Sequence, residues 1–234
     1  MKLLAIETAT ECCSVALWHE GEVHSQKHSA ERGHGAHILG MIEAGLAAAG
    51  WTLRTLDAIA FGRGPGAFTG LRLAASLSQG LAFAAGLPVI PVSDLRAVAQ
   101  QALGFQPRPV RVLACLDARM GELYWGGFDE ADGYARAATT EVVAGPDELI
   151  GAARQWLDGR AAAGAGSGFR AHPVLATALT AQLQPVLAQL EPHARDIAKL
   201  AAHDGLAQAV PAEQALPVYL RNNVAIVPRP AADS

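Results

Sequence analysis

The residues of this chain whose types and spacing could do chemistry are two strand-end acids and a glycine loop. Glu7 closes the apolar run Lys2–Glu7, and Asp117 closes a second one within "VRVLACLDA", Val110 to Ala118. In a two-lobed fold such acids can face each other across a cleft, where they hold a metal-bound phosphate or act as a base. Thr8 and Thr10, beside Glu7, add hydroxyl donors. The loop "GRGPGAFTG", Gly62 to Gly70, follows a strand and opens a helix, so Gly64 and Gly66 stand where backbone amides at a helix N-terminus can grip an anion. Glu7, Thr8, Thr10, Gly64, Gly66 and Asp117 are therefore the phosphate-site candidates. The loop has neither the Gly-Lys-Ser/Thr ending of a P-loop nor the glycine spacing of a dinucleotide fingerprint. A tight turn that lets a helix pack close to a sheet is the alternative, and the residues alone leave both readings open.

Histidine supplies no metal motif. His34 and His37 are three apart, whereas helical zinc pairs stand four apart with a carboxylate between them. His24 and His28 lie in a polar strand, and His19, His172, His193 and His203 stand alone, so solvated or capping roles account for them. No metal and no cofactor is expected. Cys12, Cys13 and Cys115 are an odd set with an adjacent pair, which argues for reduced thiols and a cytoplasmic protein.

The elements that must position these residues follow from periodicity. Lys2–Glu7, "CCSVALW" and the polar "EVHSQKHS" read as three strands joined by turns, the last suited to a sheet edge. "HILGMIEAGLAAAG" has helical spacing and stops at Gly50. "LDAIAFG" is a buried strand, Leu71 to Ala85 a helix, "LPVIPVS" a strand, and Ser93 caps another helix. This order predicts an α/β protein with a partly antiparallel sheet. The proline-rich "GFQPRPV" marks a boundary, giving lobes 1–103 and 104–234, with the last helix, after Pro192, free to pack back on the first lobe. Beyond a strand-hairpin echo around Arg119, Met120 and Gly121, no internal repeat is evident. The tail "LPVYLRNNVAIVPRPAADS" reads as extended, ending in disorder.

Composition narrows function. At 234 residues, 51% hydrophobic and 17% charged, the chain can bury a sizeable core. A formal charge of -4 argues against a free-standing nucleic-acid binder, and no apolar run reaches the roughly 18 residues of a membrane span. The helix 71–85 carries one charge, Arg72, and is otherwise small or apolar on nearly every side; such a helix must be covered all round. The helix 34–49 is similarly small. Packed side by side, the pair would offer a flat surface to another protein, through His34, His37, Met41, Ala44, Gly45, Arg72, Ala75, Ser76, Gln79, Gly80 and Phe83. An Ala-rich core pair within one molecule is the alternative.

The stretches "LLAIETATECCSVAL", "GRGPGAFTGLRLAASLSQGLAFA", "PVIPVSDL", "LDARMGELYWGGF" and "PVYLR" together resemble the TsaB (YeaZ) family, whose usual pattern is "AIDTAT…SVAL" and "GPGSFTGLR". The resemblance spans most of residues 1–130 and returns at Pro217–Arg221. It implies a two-lobed, actin-like fold (ASKHA, RNase H-like) with mixed sheets flanked by helices. It also implies a non-catalytic subunit that works with TsaD and TsaE to place a threonylcarbamoyl group on the adenosine next to the anticodon of tRNA. TsaD would carry the metal, on a His-x-x-x-His pair that nothing here reproduces, and the active site; TsaE would supply ATPase function. The helix pair 34–49 and 71–85 would pack on TsaD or on a second copy of this chain, and tRNA would be met only through the complex. Glu7 stands where Asp is commoner and Ala67 where Ser is usual, departures that weaken a phosphate site. An actin-like nucleotide-dependent phosphotransferase using Glu7 and Asp117 is the alternative from the enzyme class, and a metallopeptidase relative the third.

Overall fold

The computed structural model describes residues 1–29, 34–105 and 109–221, and of residues 34 and 36 the backbone alone. The middle of the proline-rich bridge, the tail past Arg221 and the His34 side chain lie outside the described residues. β1 (Lys2–Glu7) and β2 (Cys12–His19) are apolar along their middles and buried on both faces, as strands inside a covered sheet must be. β3 (Glu22–Ser29), polar and largely exposed, forms the edge. With β4 (Ala58–Gly62) and β5 (Val89–Val92) they make a sheet of order β3-β2-β1-β4-β5. β3, β2 and β1 pair antiparallel; β1, β4 and β5 pair parallel.

The second half repeats this order. β6 (Arg111–Asp117), β7 (Leu123–Ala131), β8 (Tyr134–Ala137), β10 (Ala162–Ala165) and β11 (Leu183–Leu187) lie in the order β11-β10-β6-β7-β8, and the short β9 (Val142–Ala144) adds on to β7. Antiparallel pairs join β6, β7 and β8; parallel pairs join β6, β10 and β11. The chain is thus a duplicated unit, a larger repeat than the strand-hairpin echo expected from sequence. The repeat is masked by the inserted β9 and by a helix of only four residues, α5 (Gly168–Ala171), in the place that a long helix fills in the first half.

Helices cover both faces of each sheet. On the outer face of the first sheet lie α1 (His34–Ala49) and α2 (Phe68–Ala85), which insert Ile38, Ile42 and Leu46, and Ala74, Ala75 and Ala82, among Leu4, Ile6, Ile59 and Phe61. α4 (Pro146–Leu157), α5 and α6 (Val174–Ala178) cover the outer face of the second sheet. Between the sheets the halves exchange helices. α3 (Asp94–Ala102), from the first half, packs Leu95, Val98 and Ala102 on Val112, Ala114 and Phe128 of the second sheet. α7 (Ala194–Asp204), from the second half, packs Ile197, Ala198 and Ala201 on Leu3, Ala5 and Ala58 of the first. Arg96 ties them: its guanidinium grips both carboxylate oxygens of Asp204, and its Nε donates to the Ala135 carbonyl at 2.7 Å.

α2 begins at Phe68, one turn before the start read from Leu71. Its first turn sits hard against the β1–β2 turn, because Gly70 has no side chain: a Cβ there would stand 1.9 Å from the Thr8 carbonyl oxygen. Thr8 Oγ1 donates to the Gly70 carbonyl at 2.7 Å, and the Ala67 amide donates to the Ala9 carbonyl at 2.8 Å. These contacts give the glycine loop its structural task of locking two connections together.

Candidate functional site

Two surfaces compete as the functional site: the cleft between the halves and the outward face of α1 and α2. The cleft, of about 870 Å³, is bounded by the β1–β2 turn, the start of α2, the β6–β7 turn and α5. Of the six phosphate candidates, Thr8, Thr10, Gly66 and Asp117 line it, and Glu7 and Gly64 do not. Thr8 is fully buried and its hydroxyl is committed to Gly70. Asp117 caps its own turn, accepting from the Arg119 amide at 2.9 Å and pairing with the Arg119 guanidinium at 3.4 Å.

Glu7 is wholly buried, and its carboxylate accepts from the Ala9 amide. The charged group that bears most on it is Asp94 at the start of α3, which the sequence shows only as a first-turn acid. The β1–β4 register sets Ile6 opposite Phe61, so Glu7 falls next to Gly62, and Asp94 rests directly over Gly62. Asp94 in turn accepts from the Gly64 amide at 2.7 Å. Each acid thus fastens one connection, and each keeps one oxygen, Glu7 Oε2 and Asp94 Oδ1, without a hydrogen-bond partner among the described residues. Burial and the facing Asp94 charge push the Glu7 carboxyl well above the usual range. Burial pushes Asp94 up to about 8, against the pull of the Gly64 amide. Glu7 and Asp117 therefore do not face each other as a pair across the cleft.

Of the residues expected at a partner surface, Ala44, Gly80, Ser76 and Arg72 face outward with His37, and Phe83 is 82% exposed. Met41, Gly45 and Gln79 are half-buried on the flanks, Gln79 donating to the Ala215 carbonyl at 3.2 Å. Ala75 points inward, in the core under α2. Both helices lie on one face of the sheet and turn their small outer sides to the surface. The His37 ring lies 4.2 Å from that of His28, and no group of three or more metal-ligating side chains gathers among the described residues. All three cysteines are free, and no helix of the described residues is long and apolar enough to cross a membrane.

Two lobes of one repeated mixed topology about a cleft define an actin-like protein, and the family model that matches, over residues 21–228, is TsaD, tRNA N6-adenosine threonylcarbamoyltransferase. Closer relatives are more particular. The Escherichia coli K12 protein described as tRNA threonylcarbamoyladenosine biosynthesis protein TsaB is 42% identical over 96% of this chain and 96% of its own. The Haemophilus influenzae protein of the same description is 50% identical over 53% of this chain and 52% of its own. A solved structure titled YeaZ from Pseudomonas aeruginosa superposes with a TM-score of 0.79 at 42% identity, covering 94% of this chain and 99% of that one. The chain belongs to the TsaB family.

Proposed function

We propose that this protein is a non-catalytic scaffold subunit in threonylcarbamoyladenosine formation on tRNA, docking a TsaD-like catalytic subunit on the outward face of α1 and α2. The observation that carries this reading is that face itself: Gly40, Ala44, Ala47, Ser76 and Gly80 stand exposed in a helix pair almost free of charge, with Phe83 beside them 82% exposed. Small outer residues let a partner's backbone approach closely, and an exposed aromatic is the kind of group that interfaces bury. The same face serves a second copy when the protein is alone. A TsaE-like ATPase joins the same assembly, and the net charge of -4 favours tRNA contact through the partner rather than directly. The nucleotide-enzyme reading has less behind it, because Glu7 is buried behind the cleft wall and engaged by its own turn.

Light scattering behind size-exclusion chromatography, on the chain alone and mixed with the TsaD-like protein of the same cell, tests this. A homodimer that gives way to a heteromeric complex is expected. Gly80→Arg is the decisive variant, since a Cβ at Gly80 meets nothing within 4 Å and an arginine is the better helix former. It should keep the fold and weaken assembly by about a hundredfold or more, the scale of a truncated hot spot. Native affinity in Gly80→Arg would remove α2 from the interface.

A further inference from the structure

The "PVYLR" segment has no part in the reading above, yet it crosses the mouth of the cleft. At its first-lobe end, the Val218 amide donates to the Arg63 carbonyl at 2.7 Å, and the Val218 carbonyl passes where a Gly64 side chain would stand, 2.6 Å from the Cβ position. Tyr219 packs on Phe68 with ring centres 5.3 Å apart and accepts from Arg72 Nε at 3.2 Å. At the far end Arg221 reaches the β6–β7 turn of the second lobe. Its Nη2 donates to the carbonyls of Ala118 at 3.1 Å and Arg119 at 3.4 Å and pairs with the Glu122 carboxylate, while Nη1 lies 3.7 Å from Met120 Sδ.

That turn needs a fastening. Arg119, Met120 and Gly121 have φ of 62°, 55° and 79°, three successive residues in the left-handed region, two of them with side chains that disfavour it. Such backbone persists where its surroundings hold it. The turn's own bonds, Ala118 amide to Glu122 carbonyl at 3.0 Å and Glu122 amide to Arg119 carbonyl at 3.1 Å, leave the Ala118 carbonyl and the second lone pair of the Arg119 carbonyl to the guanidinium. All three of these acceptors are met by Nη2, which stands one bond farther from the backbone than a lysine ammonium. Arg119 also reaches Glu11 across the lips at 3.4 Å, but both side chains are exposed and the pair is worth little.

We propose that residues 215–221 are a latch that holds the two lips of the cleft at a fixed opening, with Arg221 as its positioning residue. The latch stands independently of the partner-surface reading. Amide exchange on the full chain tests it: Arg221→Ala should speed exchange at the Ala118 and Glu122 amides by about tenfold or more, as expected when charge-assisted bonds to a strained turn are lost, and leave the β4 amides protected. Arg221→Lys keeps a positive charge but places it one bond short of Nη2, so it should speed the same amides, and it decides the matter should the alanine variant fail to fold. Spin labels at Ala67→Cys and Ala171→Cys, in a Cys12→Ser background, should give one narrow distance that broadens in either Arg221 variant. Unchanged exchange in the turn would overturn the latch; so would a faster turn with a distance distribution that stays narrow, since Arg221 would then staple the turn without holding the lobes.

Discussion

Replacing Asp94 by asparagine should make the protein more stable at neutral and alkaline pH. Asp94 is fully buried, and burial raises its carboxyl from the ordinary 3.8 to about 8. The groups that face it are Glu7 from β1, Glu141 from the loop before β9, and Arg63 from the glycine loop; the first two disfavour its ionisation and the third favours it. Between pH 3.8 and about 8 the folded chain carries a proton here that the unfolded chain has released. The unfolded state therefore binds fewer protons, and stability falls as pH rises, by about 1.4 kcal/mol per pH unit for each full proton. The contribution is complete below the unfolded value and is lost by the time pH has passed the folded one. From pH 6 to pH 8 the loss comes to about 2 kcal/mol, allowing for partial release near the folded pKa. The raised Glu7 carboxyl adds in the same direction. Asp94→Asn has no proton to lose, retains an oxygen for the Gly64 amide, and puts a donor where Asp94 Oδ1 has no partner. Urea unfolding followed by circular dichroism at pH 6, 7 and 8 should show a falling midpoint for the parent and a flatter profile for the variant. Between pH 6 and pH 8 the variant's stability relative to the parent should improve by about 2 kcal/mol. A parent whose stability is level or rising across that range would refute the reasoning, as would a variant that is weaker at pH 8.

Two further substitutions probe how the halves and loops are locked. Gly70→Ala forces a methyl to within 1.9 Å of the Thr8 carbonyl, a clash with backbone, so the β1–β2 turn or α2 must move; thermal unfolding should show a loss of roughly 3 kcal/mol. Arg96→Ala strands the Asp204 carboxylate, 18% exposed, and the Ala135 carbonyl, and should cost about 3–5 kcal/mol by denaturant unfolding. Removing Asp204 as well should return part of that loss, and a strictly additive double variant would show that the pair is not coupled.

The first half was legible because its elements are long, strongly patterned and cleanly punctuated. The apolar runs of β1 and β4, the polar alternation of β3 and the Ser93 cap each announce a single state, and the cap is present as read, the Ser93 hydroxyl accepting from the Arg96 amide at 3.1 Å. The second half obscured its own repeat, because the three-residue β9 is an insertion that draws its strand character from pairing with β7 rather than from local preference, and α5 is too short to show a helical period. The site failed differently. Glu7 and Asp117 occupy equivalent strand ends, and symmetry of position suggests symmetry of role. What separates them is depth: Glu7 is wholly buried beside Asp94, a residue 87 positions away by their numbering, whereas Asp117 reaches the cleft. Only the parallel register between β1 and β4 and the docking of α3 over Gly62 create that neighbour, and neither is written in any local pattern. The glycine loop is the converse case. Its residue types fitted both an anion grip and a packing device, and close approach separates the two, since the bare Cα of Gly70 is what admits the Thr8 carbonyl. A glycine that backbone already crowds is engaged by its own fold, which is why the open helix face, rather than the loop, carries the functional argument.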